Sequence, residues 1–283
     1  MYSKAGIADY FLTSLLVKPL AKQNSYSSIV RVDFFTMQKK EFEFKNRKHR
    51  IGGDISISDE IILAGKKYIV FVNGDAMGKS LQGAGGSLVF GSVFQSILTQ
   101  TREMNTDTVQ PKFWLVDTVK KMQAIFESFD CSMLISVAMG LVEENTGLMF
   151  YLNAEHPWAV LYRDGKASYI ENEETMAMKI GFPNTFMSEN PFYVRKFKFK
   201  NSDVILLGSD GRDDIDESFG LESSINSDPV CFLKSVEKGK GNLRKIIRSI
   251  SERGNFIDDV SLIRIEYKKP VKTKTKNRNI RNS

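Results

Sequence analysis

Cysteine and histidine are scarce in this sequence. The two cysteines, Cys131 and Cys231, lie far apart, and no C-x-x-C occurs. That argues against a thiolate zinc site and against dithiol redox chemistry, and it fits packing thiols in a reducing, cytoplasmic setting. With only His49 and His156 available, a site built on two or three imidazoles has almost no material. No run of 18 apolar residues exists, so no transmembrane helix is expected. The Met1–Leu20 stretch is mildly apolar but lacks a basic segment, a clean apolar core and a cleavage site. It reads as an amphipathic helix for the domain or a partner, not as a signal peptide.

Carboxylates, in contrast, are plentiful, so a metal site here would be rich in oxygen and suited to Mg²⁺ or Mn²⁺. The 283 residues, 42% hydrophobic and 26% charged, describe a globular protein large enough to bury its own core. The net charge of +6 is concentrated in the last stretch, Lys268 to Ser283. This reads as a solvated, disordered tail; an arm for nucleic acid, acidic lipid or an acidic partner is the alternative. The remainder is close to neutral, so no nucleic-acid partner is expected. The division expected is an N-terminal helical segment over 1–25, one domain over 26–267 and the tail over 268–283.

Alternation at Val30, Val32 and Phe34, and again at Phe42 and Phe44, predicts two half-buried strands. The continuous apolar runs Tyr68–Val72 and Val204–Leu207 predict central strands. Leu88 to Leu98 and Leu115 to Phe129 repeat at helical spacing, the second with Pro111 just ahead. Met133–Val142 and Leu148–Leu152, joined by Glu144-Asn145-Thr146-Gly147, predict a hairpin. Trp158–Tyr162, a helix at Leu243–Ile250 and a last strand at Val260–Tyr267 follow. Strands dominate both ends without strict βαβ alternation. The fold class predicted is α+β: a layered sandwich of two mainly antiparallel sheets flanked by helices.

Aspartates recur at the ends of the buried strands. Asp54 follows Gly52-Gly53, Asp75 follows the Tyr68–Val72 strand, Asp210 follows Val204–Leu207, and Asp258-Asp259 precede Val260–Tyr267. Short carboxylates fixed by backbone and bracketed by glycine suit a hard cation, which offsets the cost of gathering them. Asp before Gly is also ordinary turn chemistry, and each aspartate alone is consistent with a turn or cap. Gly74 to Ser80 looks like a P-loop, but only three residues separate its glycines where four are needed, and Asp75 would repel phosphate.

Five motifs in order carry a resemblance: Ile51-Gly52-Gly53-Asp54, Gly74-Asp75-Ala76-Met77-Gly78-Lys79, Asn153-Ala154-Glu155-His156-Pro157, Ser209-Asp210-Gly211 and Asp258-Asp259-Val260-Ser261-Leu262. Together they resemble the PPM metal-dependent phosphatase superfamily in its bacterial SpoIIE-type branch, from about Ser28 to Tyr267. The resemblance implies two divalent cations, Mn²⁺ or Mg²⁺, held by Asp54, Asp75, Ala76 (through its carbonyl), Asp210 and Asp258. Asp75 would bridge both, Asp75 and Asp210 would be catalytic, and Asp259 would orient the site or bind a further, weaker metal. It also implies hydrolysis of phosphoserine or phosphothreonine by a hydroxide bridging the two cations, without a covalent phosphoenzyme. The implied substrate is a small phosphorylated regulatory protein of the anti-anti-sigma type. Regulation would come from a protein partner or a homodimer through the N-terminal segment, or the protein would be always on. A catalytically silent module that binds a phosphoprotein is the other reading.

The chain departs from the family pattern at Ser80 and Glu155, where relatives often have glycine, and at Arg212-Asp213-Asp214-Ile215-Asp216 after the Asp-Gly. A glycine needed there for positive φ would leave Glu155 strained. His156 is expected to hold a structural hydrogen bond, not to transfer a proton. Gly83, Gly85 and Gly86 are expected to let a helix pack closely on the sheet.

Overall fold

A computed structural model describes residues 4–171, 177–183, 192–218 and 224–269. The elements, in chain order, are α1 (Lys4–Val17), β1 (Val30–Met37), β2 (Lys40–Phe44), β3 (Arg47–Ile51), β4 (Asp54–Leu63), β5 (Lys66–Ala76), α2 (Leu81–Glu103) and α3 (Pro111–Glu127). They continue with β6 (Ile135–Glu143), β7 (Leu148–Ala154), β8 (Val160–Arg163), β9 (Lys166–Tyr169), β10 (Arg195–Lys198) and β11 (Val204–Gly208). The last are β12 (Ile215–Asp216), α4 (Cys231–Lys238), α5 (Leu243–Ser251), β13 (Asn255–Phe256) and β14 (Val260–Tyr267).

Two five-stranded antiparallel sheets result, ordered β1-β14-β11-β8-β9 and β10-β7-β6-β5-β4. Side-chain alternation sorts each central strand into two cores. Ile69 and Phe71 of β5 face the second sheet, against Ile205, Leu207, Ile263 and Ile265. Val70 and Val72, one residue out of phase, face Phe90 and Phe94 of α2 and Leu115 and Met122 of α3. On the far side, Val204 and Leu206 pack on Phe232 of α4 and Ile246 of α5. The layers run helix, sheet, sheet, helix, as the α+β sandwich reading predicts. The central strands of both sheets are covered on both faces, which is why they read as unbroken apolar runs. Truncating a ring such as Phe71, 1% exposed, costs about 3–5 kcal/mol.

Pro111 begins α3 itself, where its missing N–H costs nothing. α2 runs well beyond the predicted Leu88–Leu98, starting at Leu81 because the glycines there tolerate a close approach. A Cβ on Gly83 would stand 2.3 Å from the Gly78 carbonyl, and one on Gly86 2.6 Å from Ala76 Cβ. Gly85 does not share this role, since it faces open space.

α1 forms within the expected Met1–Leu20 stretch but is not amphipathic. Phe11 stacks on Phe44 at 4.3 Å, anchoring the helix to the β2–β3 hairpin. Leu12, Leu15 and Leu16 are about half exposed. No described helix is long and apolar enough to cross a membrane. The basic tail from Pro270 on lies outside the described residues.

Candidate metal centre

β4 and β5 pair so that Asp54 stands directly opposite Asp75. Residues opposite in an antiparallel pair project to the same face, so register alone brings these carboxylates together. The β5 ladder continues to Ala76, whose N–H donates to the Gly53 carbonyl at 3.1 Å.

The second pair comes from the other sheet. β11 ends at Gly208, and Asp210–Arg212 form one 3-10 turn. Ser209 ties this turn to β14: its N–H donates to the Ser261 carbonyl at 3.0 Å, and its Oγ accepts from the Ser261 N–H at 2.9 Å. A Cβ on Gly211 would fall 1.9 Å from the Asp259 carbonyl. Glycine therefore lets the Asp210 turn press against the Asp258-Asp259 turn. Asp259 is fastened across the two sheets, accepting from the Lys39 N–H at 2.6 Å and the Gly53 N–H at 2.8 Å.

Asp54, Asp75, Ala76, Asp210, Asp258 and Asp259 consequently line one cavity of about 240 Å³, with Met77, Gly78, Lys79 and Lys179. All five residues expected to ligate metal are in this set. Among the described residues, no three His, Cys, Asp or Glu side chains are already arranged to grip an ion. Gathered carboxylates without a counter-charge repel one another, and their electrostatics reflect that. Burial, then Asp210 and Asp258, push Asp75 from 3.8 up to about 7. Burial and the charge on Asp75 hold Asp54 well above its ordinary range. Asp210, at the cavity mouth, is raised by partial desolvation and by Asp258.

Asp54 is 2% exposed. Its Oδ2 accepts from Ser209 Oγ at 2.6 Å, while its buried Oδ1 has no hydrogen-bond partner. An orphaned carboxylate oxygen in a cavity lined by five aspartates is the donor chemistry of a hard divalent cation. The residues present fit such an ion.

A second cleft of about 420 Å³ opens beside the cavity. Asp75, Asp210 and Lys179 line both. Pro157, Trp158, Tyr169 and Pro229 give the cleft apolar walls, and Glu155 and Arg212 border it.

Residues 65–268, more than half the chain, match the family model described as Stage II sporulation protein E (SpoIIE). The chain belongs to the SpoIIE family. No curated protein matches it. Among solved structures, the RsbU and RsbW domains of a Mycobacterium tuberculosis protein superpose with a TM-score of 0.62 at 19% identity, over 86% of this chain. The chain spans only 61% of that structure's length. The SiaA-PP2C domain of Pseudomonas aeruginosa gives a TM-score of 0.63 at 11% identity, covering 93% of this chain and 97% of that one. The catalytic domain of the serine/threonine phosphatase PstP, solved with two manganese ions, gives 0.54 at 13% identity, covering 85% and 99%. At these identities the likeness establishes the fold, which is that of the PP2C/PPM phosphatases.

Both departures from the SpoIIE glycine pattern sit in left-handed backbone. Glu155 has φ 51°, as the missing glycine implies, and Ser80 has φ 61° and ψ −115°. Conformations of this kind cost a non-glycine residue about 1–3 kcal/mol. Glu155 is engaged there: its Oε2 accepts from the Lys179 N–H at 3.3 Å. The Ser80 side chain makes no capping bond to α2.

His156 is fully buried at the wall of the adjoining cleft and holds the structural role expected of it. Asn73 donates both amide hydrogens, to Ser56 at 3.1 Å and Ser261 at 2.8 Å, so its oxygen is left to accept from His156 Nε2 at 2.9 Å. Nδ1 then accepts from Ser136 Oγ at 3.0 Å. That assignment, made from the network, is the neutral imidazole. Burial, then the Arg212 charge, push its pKa down to about 3. Asn153 closes the network by accepting from the His156 N–H and donating to its carbonyl.

Sequence reasoning singled out none of Asn73, Ser136, Asn153, Ser209 or Ser261 for this network, nor Lys179 for the cavity wall. Asn153, Ser209 and Ser261 fall within the family motifs, and Asn73 closes an apolar run, while Ser136 and Lys179 carry no local signal. They become neighbours only through sheet topology.

Proposed function

We propose that this chain is a metal-dependent phosphoprotein phosphatase acting on phosphoserine or phosphothreonine in a regulatory protein partner of the anti-anti-sigma type. The observation that carries this reading is the convergence of Asp54, Asp75, Asp210 and Asp258 from four strand ends on one cavity, beside an apolar-walled cleft. Membership of the SpoIIE family and the PP2C/PPM fold support it.

The side chains that would hold two divalent cations, Mg²⁺ or Mn²⁺, are Asp54, Asp75, Asp210 and Asp258, with the Ala76 carbonyl. When bound, such cations lower the pKa of a water and offset the charge that builds on the phosphoryl group. The chain's own work is positional. The Asp54–Asp75 register and the paired Asp210 and Asp258 turns fix the carboxylates. Ser209 orients Asp54, and Asp259 locks the two sheets together. His156, neutral and enclosed, orients Asn73 and Ser136 and is not an imidazolium acid near neutral pH. The cleft walls exclude water beside the reacting group and receive residues flanking the phosphorylated side chain.

Phosphate release from a phosphoserine peptide tests this reading. The expected result is release with Mn²⁺ or Mg²⁺, none with EDTA, and loss in Asp210→Asn. A folded, metal-loaded wild type without turnover would overturn it and favour a phosphoprotein-binding module.

A further inference from the structure

A phosphate approaching this site meets a wall of carboxylates, so the way in needs a positive group outside the acidic set. Lys179 stands at that point. It is one of three residues shared by the acidic cavity and the adjoining cleft, and the other two, Asp75 and Asp210, are acids.

The backbone holds this lysine in place. Ile180 exchanges both hydrogen bonds with Ile135, at 2.9 and 3.0 Å. The Ala177 N–H donates to the Asn153 carbonyl at 3.3 Å, and the Gly181 N–H to Gln123 Oε1 at 2.9 Å. Lys179 is thus fixed on both sides against the ends of β6 and β7, and its own N–H is bound by Glu155. Its ammonium forms no ion pair among the described residues.

A second cation lies deeper in the cleft wall. Arg212 is 1% exposed, lies over the Phe232 ring at 4.3 Å, and donates to the Trp158 carbonyl at 2.9 Å and to Asp213 at 3.1 Å. Its Nη1 is buried without a partner. The guanidinium supplies a fixed positive background, while the flexible stem of Lys179 lets its charge follow the ligand.

We propose that Lys179 is a substrate-binding residue that receives the phosphoryl group at the boundary between the cleft and the acidic cavity. This rests on the phosphatase reading. A charge-assisted bond from an ammonium to a phosphate oxygen helps bind substrate and product alike, so its loss acts on affinity before turnover.

The test compares wild type with Lys179→Ala and Lys179→Arg in Mn²⁺, by two readouts. Calorimetry measures the Kd for inorganic phosphate and for a phosphoserine peptide, which needs no turnover. Steady-state kinetics on the same peptide separates KM from kcat. In Lys179→Ala the phosphate Kd and the KM are expected to rise about tenfold. Lys179→Arg is expected to recover most of that, and Mn²⁺ affinity to stay the same or tighten. Kd and KM within twofold of wild type in Lys179→Ala, or no recovery with arginine, would overturn the proposal. So would weakened Mn²⁺ binding, which would make Lys179 a support of the metal centre. Absence of wild-type turnover would count against the phosphatase reading alone, because the Kd comparison still decides the role of Lys179.

Discussion

Replacing Asp75 by asparagine should stabilise the metal-free protein while destroying its metal site. At pH 8 in EDTA, Asp75 is ionised among Asp210, Asp258 and Asp259 in a partly desolvated cavity, and its pKa stands at about 7 against an ordinary 3.8. A displacement of that size is worth about 4 kcal/mol once the group is fully charged. Rotation of the neighbouring carboxylates away from one another absorbs part of it, so the expected gain is on the order of 2 kcal/mol. The sign follows from proton binding. The native state holds this proton more tightly than the unfolded chain, so its contribution favours folding below pH 3.8 and is lost as pH rises through about 7. Urea unfolding of wild type and Asp75→Asn in EDTA, from pH 5 to pH 8, reads the difference. The two should converge toward acid pH and separate toward pH 8, with the variant more stable. Mn²⁺ should then reverse the order, since only wild type gains from it. A variant less stable than wild type at pH 8, or a gap independent of pH, would refute this reasoning.

Two further outcomes are expected. His156 has a native pKa of about 3 against 6.5, so the unfolded chain binds the extra proton between these values. Its contribution to stability is intact above pH 6.5 and falls by about 1.4 kcal/mol per pH unit below it. His156→Gln should lack that acid slope in urea titrations, and an unchanged slope would contradict the buried neutral imidazole. Ser80→Gly removes a strained φ of 61° without sacrificing a cap bond, and should raise stability by about 1 kcal/mol. Thermal unfolding in the same buffer checks it, and a lower Tm would count against strain at that residue.

Much of the fold was legible because the central strands of both sheets are covered on both faces. Tyr68–Val72 and Val204–Leu207 read as central strands, and β5 and β11 are that. The alternation at Val30 and Val32 survives in β1, whose inward residues are 1% and 3% exposed. Edge elements were harder. β3 is Arg-Lys-His-Arg-Ile and β10 is Arg-Lys-Phe-Lys, each with a single apolar side chain, too few to set up an alternation. β4 was missed because it buries Ser56, Ser58 and Asp59 along with Ile55, Ile57 and Ile61, the polar side chains bonding to Asn73, Ser25 and Arg102. At the site, position at strand ends picked out the aspartates. Their convergence needed the β4–β5 register and the β11–β14 pairing, which the motif order implied but local chemistry did not. The polar network around His156 and the Lys179 boundary depend on residues distant in sequence, so no spacing rule reaches them.

The most direct measurement of the central claim is equilibrium titration of Mn²⁺ into the metal-free protein, by calorimetry, for wild type and Asp75→Asn. Saturable binding by wild type, lost in a variant that unfolds as cooperatively as wild type, is the expected result. No binding by folded wild type, or binding that Asp75→Asn leaves unchanged, would contradict a metal centre in the acidic cavity.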